Sequence, residues 1–110
     1  MIKKEKFSGQ DQELAGIAKV LSHPARIAIL RFLASTNTCI SGDISNIIPL
    51  SRTTVSQHLQ ALKNIGLIKG EIDGVKVNYC INNERIIEIQ ETLNIFFNCT
   101  VNQANNCCKP

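Results

Sequence analysis

The 110-residue chain has no tryptophan, one tyrosine, four phenylalanines and a single methionine. Its core must therefore rest on branched aliphatic packing, and sixteen isoleucines supply much of it. Also lacking is any long apolar run: no window approaches the roughly 20 apolar residues needed to cross a bilayer. The start, Met1 to Ser8, is charged with no apolar stretch behind it, so no secretory signal is expected. Charge of one sign is scarce too. Twelve Lys and Arg against nine Asp and Glu give +3, spread along the chain, which permits nucleic-acid binding without demanding it. With 44% apolar and 19% charged residues the composition is globular, neither disordered nor collagen-like, and the length suits one domain.

Five cysteines, at 39, 80, 99, 107 and 108, stand out in so short a chain. An odd count without a signal sequence argues against a disulfide scaffold and for a cytoplasmic protein whose thiols stay reduced, free for metal or redox chemistry. The two histidines, His23 and His58, have no carboxylate constellation beside them, and no activating base adjoins a cysteine. An enzyme is therefore not expected.

From Asp11 to Leu21 the apolar residues Leu14, Ile17, Ala18 and Leu21 recur at helical spacing. Ser22-His23-Pro24 then supplies an N-cap and a proline for a second helix. In that helix Ile27 and Leu30, flanked by Ala28, Ile29, Phe32 and Leu33, make it apolar over most of its circumference, as a central helix would be. Cys39-Ile40 reads as a brief strand. Asp43 opens a short helix with Ile44, Ile47 and Ile48 inward, ended by Pro49. Ser51 caps the next, in which Val55, Leu59 and Leu62 keep helical spacing until Gly66. Two helices joined by a tight turn form a helix-turn-helix.

The period then changes from helical to alternating. Ile68, Gly70 and Ile72 alternate with polar residues, as do Val75, Val77, Tyr79 and Ile81, around Asp73-Gly74, a hairpin-turn signal. A two-residue turn there sets Ile72 opposite Val75 and Glu71 opposite Lys76. The hairpin forms a wing on the helix-turn-helix. Asn82-Asn83 caps a last helix to about Asn98, with Ile86, Ile89, Leu93 and Phe96-Phe97 as its apolar stripe. Residues 1–10 are expected as a flexible arm, 11–98 as the domain, and 99–110 as a mobile cysteine-containing tail.

The segments from Leu21-Ser22-His23-Pro24-Ala25-Arg26 to Leu30, from Ser51-Arg52-Thr53-Thr54-Val55-Ser56-Gln57-His58-Leu59 to Leu62, and Gly66-Leu67-Ile68 occur together and in order. In this the chain closely resembles the winged-helix repressors of the ArsR (arsenical-resistance) family, over residues 12–98. The resemblance implies an α+β, mainly α, winged helix-turn-helix with a two-stranded wing. It also implies a homodimer joined through the first and last helices, which reads a double-stranded DNA operator with an inverted repeat. Independently, the last helix carries more apolar surface than so small a domain covers alone. A two-fold axis sets the recognition helices about one DNA turn, roughly 34 Å, apart.

With Val55, Leu59 and Leu62 turned inward, Ser51, Arg52, Thr53, Thr54, Ser56, Gln57, His58, Gln60 and Lys63 are the DNA-contact candidates on the recognition helix. Lys76 at the wing tip is a candidate phosphate contact. Small hydroxyl residues let the helix end approach phosphate, and Arg52 and Gln57 have the reach for base edges. His58 within this helix suits structural or DNA-proximal duty, and His23 beside its proline a local hydrogen bond. Asp43 suits the positive end of its helix, and Glu84, Glu88 and Glu91 a solvated face.

The resemblance also bears on the thiols. Arsenic sensors of this family carry a Cys-x-Cys pair immediately before the aspartate matching Asp43, but here those positions are Ile40 and Gly42, with Cys39 one residue out of register. The zinc and nickel sites that relatives build from Asp and His on the last helix lack their histidines here. Other arsenic-responsive relatives place thiols at or beyond the last helix, where this chain has Cys99, Cys107 and Cys108. Those three are the expected thiolate ligands of As(III) or Sb(III), soft ions that favour sulfur. Cys39 and Cys80 are read as packing or surface residues. The competing expectations are a repressor responsive to thiol oxidation, linking Cys99 to a tail cysteine, or one responsive to another soft metal.

Overall fold

The computed structural model describes residues 6–36, 39–41, 44, 47–72 and 78–107, with side chains as far as Val101. Its elements run α1 (Gly9–Val20), α2 (Pro24–Thr36), β1 (Ile40–Ser41), α3 (Arg52–Asn64), β2 (Ile68–Glu71), β3 (Asn78–Ile81) and α4 (Asn83–Cys107). The expected mainly helical winged fold is present, with one addition. The strands form a three-stranded antiparallel sheet in the order β1-β3-β2, so β1 extends what the sequence suggested as a two-stranded wing.

Local chemistry sets most boundaries. Ser8 accepts the Asp11 amide at 3.0 Å, so α1 starts at Gly9, inside the stretch expected as an arm. The next junction differs from expectation in its cap. The Ser22 hydroxyl donates backward to the Lys19 carbonyl at 2.7 Å, while the His23 carbonyl accepts the Arg26 and Ile27 amides and Pro24 opens α2. Ser51 caps α3 by accepting the Thr54 amide at 3.2 Å. At the other end Gly66 takes φ +84°, and the Leu67 amide returns to the Leu62 carbonyl at 3.0 Å, closing the helix with a left-handed residue. The side chain of Asn82 caps α4 through the Arg85 amide.

The short helix expected from Asp43 lies largely outside the described residues, but the Ile47 and Ile48 amides both reach the Ile44 carbonyl, at 2.9 and 3.0 Å, as in one helical turn. The Asp73-Gly74 turn also lies outside them. The wing register differs from the expected one: Glu71 pairs with Asn78 and Gly70 with Tyr79, not Glu71 with Lys76. A shift of two residues keeps every side chain on its face, so alternation of apolar and polar residues does not distinguish the two registers. Gly70 is needed where it stands. It has φ +125°, and a Cβ there would lie 2.1 Å from the Asn78 carbonyl oxygen.

The core contains Ile17, Ile29, Leu33, Ile44, Ile48, Val55, Leu59, Leu62, Leu67, Ile68, Ile72, Tyr79 and Ile89. On α2 the fully buried residues are Ile29 and Leu33, one turn apart, whereas Ile27 and Leu30 are half-buried. On a helix apolar nearly all round, periodicity does not choose the inner face; the packing of α3 and β3 does. Arg85 binds three elements together: its Nε donates to the Ile65 carbonyl at 2.9 Å, and its guanidinium pairs with Glu88 at 3.2 Å and Glu13 at 3.9 Å. α4 runs nine residues beyond the expected end near Asn98, so the segment from Thr100 to Cys107 is helix and not a separate tail. Unbroken intrahelical hydrogen bonding continues it despite weak helix formers.

Candidate nucleic-acid interface and thiol sites

On α3, Val55, Leu59 and Leu62 face the core. Ser51, Arg52, Thr53, Ser56 and Gln57 are exposed. They form one edge at the N-terminal half of the helix, where amides and hydroxyls suit phosphate oxygens. Thr54 is half-buried, its Oγ1 accepting from Ser51 Oγ at 3.0 Å. Gln60 and Lys63 are half-buried further along, and Gln60 Nε2 donates to Asn64 Oδ1 at 3.0 Å. Lys76 lies outside the described residues.

His58 is turned the other way. Its Nδ1 accepts from Arg26 Nε at 3.0 Å, and Arg26 Nη1 donates to the Val20 carbonyl at 3.1 Å. The His23 ring lies 5.6 Å away, tilted by 47°. Burial lowers the His58 pKa from its ordinary value of 6.5, and the Arg26 charge and His23 lower it further. His58 is therefore the neutral acceptor of a clamp that joins α3 to the start of α2 and the end of α1. The Arg26–His58 partnership escaped sequence reasoning. Its signal was present in the pairing of His23-Pro24-Ala25-Arg26 with His58 one recognition helix later, but residue spacing does not say which side chains meet.

Cys99 is exposed on α4, and Cys107 is the last residue of that helix. Eight residues at about 1.5 Å rise separate them by roughly 12 Å along the axis, too far to share one ion while α4 stays helical. Cys108 and the Cys107 side chain lie outside the described residues. Among the described residues, no group of three or more His, Cys, Asp or Glu is suited to hold a metal ion. Cys39 and Cys80, expected as bystanders, are brought together by the sheet: they line one cavity. The neighbouring Cys39 thiol, with burial, pushes the Cys80 thiol up from its ordinary value, while the Lys69 ammonium works against the rise.

A recognition helix with an exposed polar edge, clamped to a preceding helix and followed directly by a hairpin, defines the winged helix-turn-helix class of DNA-binding proteins. Comparison with known proteins narrows the class. The sequence model of the "Bacterial regulatory protein, arsR family" matches residues 23–69. The chain is 34% identical over 82 residues to the HTH-type transcriptional regulator YgaV of Escherichia coli, covering 74% of this chain and 83% of the relative. It is 36% identical over 78 residues to the cadmium resistance transcriptional regulatory protein CadC of Listeria innocua, covering 71% and 66%. With the arsenical resistance operon repressor of Staphylococcus xylosus the identity is 33% over 84 residues, covering 76% and 80%.

Among solved structures, an ArsR-like transcriptional regulator from Rhodococcus sp. RHA1 superposes with a TM-score of 0.66 at 23% identity, over 91% of this chain and 93% of that one. The chain belongs to the arsR family of bacterial regulatory proteins: it is a DNA-binding transcriptional repressor and not an enzyme. Among the described residues no helix is long and apolar enough to cross a membrane.

Proposed function

We propose that this repressor is a cytoplasmic homodimer that leaves an inverted-repeat operator when Cys99, Cys107 and Cys108 bind As(III) or Sb(III) as thiolates. The observation that carries the dimer is the exposed apolar side of α4, where Phe96, Phe97 and Val101 are 43, 55 and 60% exposed. Phe7, just before α1, adds to it at 55% exposure, and α1 packs on α4. Ser51, Arg52, Thr53, Ser56 and Gln57 make the main operator contacts, with Thr54, Gln60, Lys63 and Lys76 at the flanks. His58 acts through Arg26 as a positioning residue, fixing the angle of α3.

Support for the ligand comes from relatives named for arsenical and cadmium resistance and from the preference of trivalent arsenic for sulfur. Three thiolates converge only if the end of α4 unwinds or the two subunits share the ion. Within one chain, unwinding is inexpensive: Thr100, Val101, Asn102, Asn105 and Asn106 each lie about 0.6 kcal/mol below alanine in helix propensity, roughly 3 kcal/mol together. Unwinding next to Phe96, Phe97 and Val101 alters the dimer seam and hence the spacing of the two recognition helices. A ligand that prefers that geometry shifts the population away from the DNA-bound one.

The test is anaerobic titration of the fully reduced, operator-bound protein with arsenite. Release accompanied by loss of far-UV helical signal is expected, and neither should occur when Cys99, Cys107 and Cys108 are replaced by serine. Indifference to arsenite combined with release by peroxide refutes the arsenic reading in favour of thiol oxidation; release by cadmium alone points to another soft metal.

A further inference from the structure

The cysteine pair at the base of the wing is independent of the C-terminal thiols. β1 pairs antiparallel with β3 through Ile40 with Tyr79 and Ser41 with Asn78. Continuing that register by one residue sets Cys39 opposite Cys80, and on the other side of β3 Cys80 pairs with Lys69 of β2. Directly opposed residues of an antiparallel pair have Cα atoms about 4.5–5.5 Å apart, within the roughly 4.4–6.8 Å that a disulfide spans. Because Tyr79 is fully buried, alternation turns Cys80 to the opposite face of the sheet. There Cys39 and Cys80 line a cavity of about 410 Å³ with Leu33, Ala34, Lys69 and Asn83. Cys39 is exposed and Cys80 half-buried, so an oxidant meets Cys39 first and finds the second thiol beside it.

We propose that Cys39 and Cys80 form a redox modification site, a dithiol that peroxides convert reversibly to a cross-strand disulfide within one subunit. The Cys39 thiolate attacks one peroxide oxygen, breaking the O–O bond to give a sulfenic acid and, after proton uptake, water. The Cys80 sulfur then attacks the sulfenic sulfur, forming S–S and expelling hydroxide, which takes the Cys80 proton and leaves as water. Two thiols and one hydrogen peroxide thus yield one disulfide and two waters. The Lys69 ammonium, paired across from Cys80, offsets part of the rise that the neighbouring Cys39 thiol and burial impose on the Cys80 thiol, which keeps its proton until the expelled hydroxide takes it. A dithiol reductant reverses the change. The link closes a loop over α3 and both wing strands, so oxidation ties the DNA-reading unit to the sheet and restricts its unfolded state.

The test uses the full chain with Cys99 and Cys107 of α4 and Cys108, which follows them in sequence, replaced by serine, so that failure of the arsenic reading leaves the result untouched. After stoichiometric hydrogen peroxide we expect loss of two hydrogens in mass and a peptide containing Cys39 joined to one containing Cys80 in a non-reducing digest. A rise in Tm that dithiothreitol reverses should accompany them. The same linked peptide is expected from the unsubstituted chain, which guards against a folding defect in the variant. Cys80 remaining open to a thiol label while Cys39 goes to sulfinic acid, or pairs with Cys39 of a second copy, overturns the proposal.

Discussion

Lowering the pH should loosen α3 through one atom, Nδ1 of His58. That nitrogen accepts the Arg26 Nε–H at 3.0 Å, and protonating it removes the acceptor and places a second positive charge beside the guanidinium. Burial, Arg26 and His23 hold the folded-state pKa below the ordinary 6.5. Between those two values the unfolded chain binds more protons, so stability is complete above about pH 6.5 and declines as pH falls through that value, levelling only below the folded pKa. A hydrogen bond to a charged group contributes about 1.5–3 kcal/mol when buried. At this half-exposed position solvent screening reduces that to about 1 kcal/mol, or roughly 4–8 °C in Tm for a domain of this size.

The assay is thermal unfolding by circular dichroism from pH 8 to pH 5 at one protein concentration, comparing the natural chain with His58→Asn. Asparagine offers an acceptor near the Nδ1 position and does not titrate. His23 is present in both proteins, so the difference between the curves isolates His58. We expect the natural protein to lose the additional few degrees below pH 6.5. Parallel curves would refute the reasoning.

Other consequences are equally direct. Gly70→Ala must push a Cβ into the Asn78 carbonyl at a φ of +125°, so a loss of about 2 kcal/mol or more is expected in denaturant unfolding. Arg85→Met keeps the aliphatic stem but removes the bond to the Ile65 carbonyl and both ion pairs; about 1–2 kcal/mol should disappear from the unfolding free energy. Arg52→Ala should weaken operator binding by about 1–3 kcal/mol, roughly ten- to a hundredfold, in a fluorescence anisotropy titration at fixed salt, with circular dichroism unchanged. Replacing Phe96 and Phe97 together by serine should shift sedimentation from dimer to monomer and weaken operator binding with it.

Much of the fold was legible because its signals are local. Ser51 before Val55, Leu59 and Leu62 marks a capped amphipathic helix, and Gly66 its stop, whatever the rest of the chain does. The exposed edge of α3, Ser51, Arg52, Thr53, Ser56 and Gln57, followed from the same periodicity, which did not show that His58 turns onto Arg26. α2 was legible as a helix but not as to its inner face, because a nearly all-apolar circumference carries no phase. The end of α4 was misjudged because asparagines weaken a helix without ending one.

The sequence by itself determined the element types, the winged order of elements and the outward set from Ser51 to Gln57, because each depends on spacing within a few residues. Only the tertiary structure decided which residues meet across elements. It selected between two wing registers that place every side chain on the same face, turned His58 onto Arg26, and set Cys39 beside Cys80 through β1 and β3, forty-one positions apart. Such pairings depend on how separate segments pack and hydrogen-bond, and a one-dimensional pattern does not carry that information. The chain that lacks tryptophan and long apolar runs thus builds its core by local rule, and its thiol pair by the way the sheet closes.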